Sequence, residues 1–147
     1  MSSFTDSLIT SPLEDKENWW VLRKEFHYEV GYEGSGDTIA VPAGFVTNFA
    51  SIPKILWSFF PPWGEYGKAS VVHDYLYYSQ KRTKEESDYI FYEGMVVLGV
   101  KEGRAKFYHN MVKWFGGGGW KNSQNYMMEM SSRKIEIFDL KELSVEK

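Results

Sequence analysis

Residues 71–80, "VVHDYLYYSQ", place a histidine and an aspartate side by side within an apolar and aromatic stretch. Such a stretch is expected to be buried, and an unpaired polar group is costly to bury. If the stretch is helical, His73 and Tyr77 lie four residues apart on one stripe, and Asp74 lies one position round. These side chains fit either a catalytic or metal site or a structural histidine held by hydrogen bonds.

A partner for His73 is expected on the next helix. Asp88 shares a helical stripe with Phe91 and Met95, which predicts an acid on the inward side of that helix. The connection at residues 79–85 is short enough to make the two helices antiparallel neighbours. That arrangement would bring His73 and Asp88 within hydrogen-bonding reach. A carboxylate on one imidazole nitrogen fixes the tautomer, and the other nitrogen can then accept a proton from water or bind a metal.

Asp74 is the candidate metal ligand, for a divalent cation such as calcium, magnesium or zinc. A hard cation needs several oxygen ligands, so backbone carbonyls or water would have to complete the set. In the alternative interpretation, His73 donates to Asp88 only to satisfy two buried polar groups, and Asp74 caps the preceding loop. Both interpretations stay open from the residues alone.

Other polar residues are expected to have simpler roles. Thr47, Asn48 and Ser51 in "TNFAS" are side chains that hydrogen-bond local backbone, which predicts a turn. Ser51 lacks the G-x-S-x-G pattern of a nucleophile. His27 lies on the polar face of a predicted strand, and His109 lies at the centre of a predicted helix, so we expect both to be solvated.

The composition limits the class of protein. A chain of 147 residues is long enough for one domain with a substantial core. The net charge is −3 without a dense basic stripe, so no nucleic-acid partner is expected. The absence of cysteine excludes disulfides and thiolate metal sites. We expect neither a signal peptide nor a transmembrane segment, because the first residues are polar and the apolar runs are short.

The strand and loop patterns indicate an α+β fold. Residues 19–30 alternate between apolar and polar, which predicts one half-buried strand. A glycine-containing loop and a second strand at residues 38–41 complete a predicted N-terminal β-hairpin. Residues 41–67 carry four prolines and three glycines among large apolar side chains. They are predicted to form a structured aromatic loop packed on a helical hairpin.

Helical patterns follow this loop. The second of three predicted helices starts at Thr83 with a capping box to Glu86. The predicted helices cover about residues 66–79, 83–98 and 103–115, and the glycines at 116–119 end the third.

The predicted organisation is a single domain with two extensions. Residues 1–18 are polar and are expected to be a flexible arm. Residues 19–120 are the globular α+β domain. Residues 121–147 are expected to be a C-terminal tail or a late strand, since residues 133–143 partly alternate.

Three blocks of this sequence resemble a known family. "VPAGFVTNFASIP", "YGKASVVHDYLY" and "SDYIFYEGM" are similar to a family of uncharacterised proteins from tailed phages and prophages, catalogued as a domain of unknown function. Its motif is roughly F-x-T-[DN]-[FL]-A-S-[IV]-P, then H-D-x-L-Y, then [AS]-D-x-x-F, and the match covers about residues 19–120. The resemblance implies a phage origin without an established activity. The matching polar residues are Thr47, Asn48, Ser51, His73, Asp74, Tyr77 and Asp88.

The same residues show a distant mechanistic likeness to secreted phospholipases A2. Those enzymes carry H-D-x-x-Y on one helix and a partner aspartate on the antiparallel next helix. The likeness implies that His73 is a general base on water, that Asp74 binds calcium and that Asp88 orients His73. This chain departs from the pattern, because it has no cysteines and no usual glycine-rich calcium loop. Asn48 also stands where the phage family more often has aspartate.

Two functions are therefore expected as alternatives. The first is a small phage-encoded hydrolase with His73, Asp88 and Tyr77 at its catalytic site and a possible divalent cation at Asp74. The second is a non-enzymatic tail, baseplate or assembly accessory in which the His-Asp motif is structural and other virion proteins are the partners. Either function implies a location in the host cytoplasm or in the virion.

Overall fold

The computed structural model describes residues 3–4, 6–12, 19–47 and 66–132. These residues form short strands followed by helices, which confirms the predicted α+β class. The strands are β1 (Ser3–Phe4), β2 (Thr10–Pro12), β3 (Trp20–Leu22), β4 (Phe26–Glu29), β5 (Thr38–Val41) and β6 (Val46–Thr47). The helices are α1 (Gly67–Ser79), α2 (Lys84–Val97), α3 (Glu102–Phe115) and α4 (Gly117–Ser132).

The described strands form two antiparallel sheets. One has the strand order β1-β4-β5 and the other has the order β2-β3-β6. The predicted hairpin is confirmed, with Phe26 opposite Val41 and Glu29 opposite Thr38. The prediction of one strand over residues 19–30 is wrong, because β3 and β4 belong to different sheets and Lys24 lies in the break between them.

The N-terminal residues also differ from the prediction of a flexible arm. β1 pairs with β4, and β2 pairs with β3. The Phe4 ring lies 5.6 Å from the ring of Phe26 and 4.5 Å from that of Tyr28. A strand of two or three residues is too short to show an alternating apolar and polar pattern. β1 and β2 are therefore recognised only from their pairing with β4 and β3.

The three predicted helices are confirmed. Thr83 caps α2, and its side chain and that of Glu86 form the reciprocal capping box. α1 and α2 are antiparallel, since Ala69 near the start of α1 lies against Gly94 near the end of α2. A Cβ placed on Gly94 would be 3.2 Å from that of Ala69, so the glycine allows the two helices to approach closely.

The expected C-terminal tail is wrong for residues 121–132, because α4 continues helically through them. Trp120 packs edge-on against the Tyr77 ring at 5.1 Å, and the Gln80 amide donates to the Trp120 carbonyl at 2.9 Å. Glycine is a poor helix former, so these contacts with α1 outweigh the propensity of the run at 117–119. The possible strand over residues 133–143 lies outside the described residues.

The described core residues form two clusters on either side of α1. One joins the sheets to the helices, with Phe26, Val41 and Val72 among its members. The other lies between the helices and includes Phe91 and Tyr108. Of the predicted aromatic loop 41–67, only the start and the final two residues are described, and residues 48–65 lie outside. No helix in the described ranges is long and apolar enough to cross a membrane.

Candidate functional site

The site is built around the carboxylate of Asp88, which accepts hydrogen bonds from three side chains. His73 Nε2 lies 2.8 Å from Oδ1, and the Tyr77 hydroxyl donates to the same oxygen at 2.7 Å. The ammonium of Lys84 donates to Oδ2 at 2.7 Å. The predicted pairing of His73 with Asp88 is therefore confirmed as geometry, while a catalytic role for it stays a prediction.

Helical spacing places these groups together. His73 and Tyr77 are one turn apart on α1, so both face the same position on α2. Lys84 precedes Asp88 by four residues on α2 and therefore lies on the same side. The close packing at Gly94 keeps the two helices near enough for direct hydrogen bonds instead of bridging water.

Lys84 is a member of the site that the residue patterns did not identify. Besides Asp88, its ammonium donates to the carbonyl of Val112 at 2.9 Å. Val112 lies in the last turn of α3, where the negative end of the helix dipole attracts cations, and its carbonyl also accepts from the Gly116 amide at 2.8 Å. One side chain thus connects the start of α2 to the end of α3. The four-residue spacing from Lys84 to Asp88 is the sequence signal that could have found it.

The imidazole of His73 is fully buried between two aromatic rings. Phe91 stacks on it at 4.7 Å, and Tyr77 lies 4.3 Å away. Burial lowers the pKa of His73 and outweighs the opposite effect of Asp88, so the ring is neutral. Because Nε2 faces an ionised carboxylate, it carries the proton, and Nδ1 is a bare lone pair. No partner among the described residues reaches Nδ1.

The electrostatics keep Asp88 ionised. Burial alone would raise the pKa of Asp88, but the hydrogen bonds from His73, Lys84 and Tyr77 hold it below its ordinary value. Burial and the bond to Asp88 raise the pKa of Tyr77, so its hydroxyl keeps its proton. The arrangement is a neutral histidine and a neutral tyrosine on one carboxylate, whose charge is balanced by Lys84.

Asp74 lies on another side of α1 and contacts the sheet. The hydroxyl of Thr47 on β6 donates to Asp74 Oδ2 at 2.6 Å. Asp74 was expected either to bind a cation or to cap the preceding loop, and this contact joins it to a strand. No three His, Cys, Asp or Glu side chains in the described part of the chain are grouped to hold a metal ion. Asn48 and Ser51 lie outside the described residues.

The other two histidines are less solvated than expected. His27 is half-buried, and its Nδ1 lies 2.8 Å from Asp6 while its Nε2 lies 2.6 Å from Glu25. These bonds raise its pKa. His109 is half-buried beside the ring of Tyr92 at 5.7 Å, and burial lowers its pKa.

Residues 20–112 match the model of the family described as "Protein of unknown function (DUF1353)". The chain belongs to this family. The match confirms the expectation of a family without an established activity. No solved structure matches the chain.

Two curated relatives of this DUF1353 protein come from Sinorhizobium fredii. "Uncharacterized protein y4jT" is 40% identical over 78 residues, which is 52% of this chain and 23% of the relative. "Uncharacterized protein y4iH" is 36% identical over 119 residues, which is 77% of this chain and 47% of the relative. The chain thus spans less than half the length of these relatives.

The DUF1353 match contains the whole Asp88 network and the Thr47–Asp74 contact. Two features that enclose the network lie beyond it, at the junction between α3 and α4. Gly116 is buried there, and a Cβ at this position would be 2.7 Å from the Tyr77 hydroxyl. Trp120 covers the Tyr77 ring from the same side.

Proposed function

We propose that this DUF1353 protein is a hydrolase in which His73 Nδ1 is the general base on water. The observation that supports this most is the lone pair on Nδ1, which is buried and has no partner among the described residues. Leaving such an atom unpaired costs roughly 1–3 kcal/mol. A purely structural histidine gains nothing from that cost, whereas a base needs a nitrogen free to accept a proton.

The chemistry uses both imidazole nitrogens. As the oxygen of a water molecule adds to a carbonyl carbon or a phosphorus, its proton passes to Nδ1. The Asp88 carboxylate stabilises the resulting imidazolium through the proton on Nε2. The same proton then passes from Nδ1 to the leaving oxygen as its bond breaks. A neutral resting histidine suits this sequence, and burial keeps His73 neutral by lowering its pKa.

Tyr77 serves as a positioning residue in this proposal. Its hydroxyl donates to the oxygen of Asp88 that also faces His73. Lys84 holds the other oxygen, so the carboxylate cannot rotate away from the imidazole. Because His73 is fully buried, substrate reaches Nδ1 only when the rings that pack on it move, and Phe91 and Tyr77 are two of these.

A divalent cation at Asp74 is a separable part of the proposal. Calcium, magnesium or zinc beside this carboxylate would stabilise negative charge on the substrate. Thr47 and Asp74 supply two oxygens 2.6 Å apart, and further ligands would have to come from backbone, water or substrate. The base and the cation are therefore tested separately.

The test is an assay on ester and phosphodiester substrates, with chelator and with added calcium, magnesium, manganese or zinc. We expect His73→Gln to lose roughly 100-fold or more of the turnover, a typical contribution of a general base. His109→Gln is the matched control, since its ring lies on α3 against Tyr92. Activity should rise with pH and reach half its plateau below pH 6.5, the ordinary pKa of histidine, because that of His73 is lowered.

Circular dichroism of each variant separates loss of the base from loss of the fold. Equal turnover by wild type and a folded His73→Gln variant would contradict the base. A wild-type protein inactive on every substrate and with every cation would remove the enzymatic proposal.

A non-enzymatic component of a phage tail or baseplate is the second candidate. The observation that favours it is that adjacent residues bond to different elements, His73 to α2 and Asp74 to β6. These two hydrogen bonds would hold the sheet and the helices together in a purely structural role. Mass spectrometry of purified particles tests this role. Stoichiometric presence supports it, and complete absence contradicts it.

A further inference from the structure

The outer side of α3 exposes large aromatic side chains. Phe107 and Trp114 are two turns apart and so lie on one face, and Phe115 follows at the end of the helix. Their exposed fractions are 43%, 67% and 66%. The opposite side of α3 is the buried one, with Ala105, Tyr108 and Val112 in the core. We name the exposed group of Phe107, Trp114 and Phe115 the α3 aromatic face.

Basic residues surround this face. Residues 101–121 contain five lysines or arginines and one acid, a net charge of +4 in a chain whose net charge is −3. Lys106 and Lys113 are also two turns apart, on the face of α3 adjoining the aromatic one. Glu102 is the acid in this segment, and it pairs with Lys106 at 2.9 Å. The negative net charge of the whole chain therefore does not reflect the local excess of positive charge on this segment.

Exposed tryptophan and phenylalanine beside lysines are the features of a helix that lies in a lipid headgroup layer. The aromatic rings enter the boundary between headgroups and acyl chains, and the lysines face anionic headgroups. No helix among the described residues is long and apolar enough to cross a membrane, so the contact would be with the surface.

We propose that the α3 aromatic face docks this protein on an anionic lipid surface. Charge complementarity favours this partner over a neutral membrane. The three exposed aromatic side chains favour it over duplex nucleic acid, whose phosphates would contact basic side chains without needing three exposed apolar anchors. The surface is independent of the proposed hydrolytic reaction, because His73 lies buried on α1.

The test is co-sedimentation of the full chain with phosphatidylcholine vesicles, with and without phosphatidylglycerol. We expect sedimentation with the anionic vesicles, little with the neutral ones, and weaker binding as salt screens the lysines. Lys113→Gln should weaken partitioning about fivefold, the value expected for one charge near such a surface. Trp114→Ser should weaken it roughly tenfold or more, through lost apolar burial.

Matched controls come from another part of the surface. Tyr32 is 60% exposed in the loop between β4 and β5, and Lys81 is exposed between α1 and α2. Tyr32→Ser and Lys81→Gln should leave vesicle binding within about twofold of wild type, since surface changes away from a contact have small effects. His73→Gln should also retain binding, which separates failure of this proposal from failure of the hydrolase.

Three results would overturn the proposal. The first is no sedimentation with anionic vesicles. The second is equal loss in the Tyr32 and Trp114 variants. The third is binding to duplex DNA or self-association that depends on Trp114 while vesicle binding does not, which would assign the face to a different partner.

Discussion

Two histidine–carboxylate pairs in this protein have the same length and opposite electrostatics. His73 lies 2.8 Å from Asp88 between α1 and α2, and His27 on the central strand β4 lies 2.8 Å from Asp6, which follows β1. Burial lowers the pKa of His73, whereas hydrogen bonds to carboxylates raise the pKa of His27. The distance between partners therefore does not determine the charge of either histidine.

The surroundings of the two pairs explain the difference. The side chains of His73 and Asp88 are 0% and 3% exposed, whereas those of His27 and Asp6 are 34% and 24% exposed. Charge on an imidazole is disfavoured where water cannot solvate it, and a nearby carboxylate only partly compensates. In the buried pair, Lys84 and Tyr77 also donate to the Asp88 carboxylate. Removal of that carboxylate should therefore affect several elements of the fold at once.

The largest expected effect comes from removing the acceptor in each pair. Asp88→Ala leaves three buried or half-buried donors without their acceptor, and we expect it to lower the free energy of unfolding by about 3–5 kcal/mol. Asp6→Ala should cost less than about 1 kcal/mol, because solvent screens the partly exposed pair. Chemical denaturation of both variants measures the comparison. Equal costs would show that burial does not distinguish the pairs.

The next effect concerns Lys84, which donates to the carboxylate of the buried pair. Lys84→Met removes the donor to Asp88 Oδ2 and to the Val112 carbonyl, and we expect a loss of about 1.5–3 kcal/mol of stability. Lys81→Met is the matched control, since that side chain is exposed in the preceding loop, and it should change stability by less than about 0.5 kcal/mol. Thermal unfolding would separate them, and similar midpoints would contradict a structural role for Lys84.

A smaller effect tests how tightly the buried pair is enclosed. A Cβ at Gly116 would be 2.3 Å from the Val112 carbonyl oxygen and 2.7 Å from the Tyr77 hydroxyl. Gly116→Ala should therefore destabilise the protein by about 1–3 kcal/mol through overpacking. A Cβ at Gly117 has no neighbour within 4 Å among the described residues, so we expect Gly117→Ala to be neutral or stabilising by up to about 1 kcal/mol. If a denaturant titration shows Gly117→Ala to be more destabilising than Gly116→Ala, then the junction between α3 and α4 is not tightly packed around Gly116.

The smallest effect is on the pH dependence, and the two pairs should have opposite signs. The raised pKa of His27 adds stability that is present below pH 6.5, the ordinary histidine value, and is lost as pH rises through its folded pKa. The lowered pKa of His73 adds stability above pH 6.5 that is lost as pH falls toward its folded pKa. Ring titrations by NMR should place His27 above 6.5 and His73 below it. Two measured pKa values on the same side of 6.5 would contradict the comparison.

Much of the helical part of the site was predictable from local patterns. Four-residue spacing on α1 and α2, a capping box at Thr83 and a short connection were enough to predict the contact of His73 with Asp88. The same four-residue spacing, applied to Lys84 and Asp88, would have predicted Lys84 as the third donor to the Asp88 carboxylate. Its contact with the carbonyl of Val112 depends on where α3 ends relative to α2, and such placement of separate helices is not a local property.

The strands and the last helix show where local patterns were insufficient. β1 and β2 are two and three residues long, and they exist because β4 and β3 offer them backbone partners. α4 begins at a run of glycines, and the contact of Trp120 with Tyr77 compensates for the low helix propensity of that run. In both cases the stabilising partner lies far away in the sequence.

The sequence by itself determined the α+β class, three of the helices, the hairpin of β4 and β5 and the pairing of His73 with Asp88. These follow from periodicities of two and 3.6 and from capping, which act over a few residues. Only the tertiary structure decided that His73 is neutral, that its Nδ1 has no partner among the described residues, and that Asp74 contacts Thr47. The pKa of His73 depends on its burial, and the partner of Asp74 depends on a contact between residues far apart in the sequence. Both depend on which surfaces pack against each other in the folded protein.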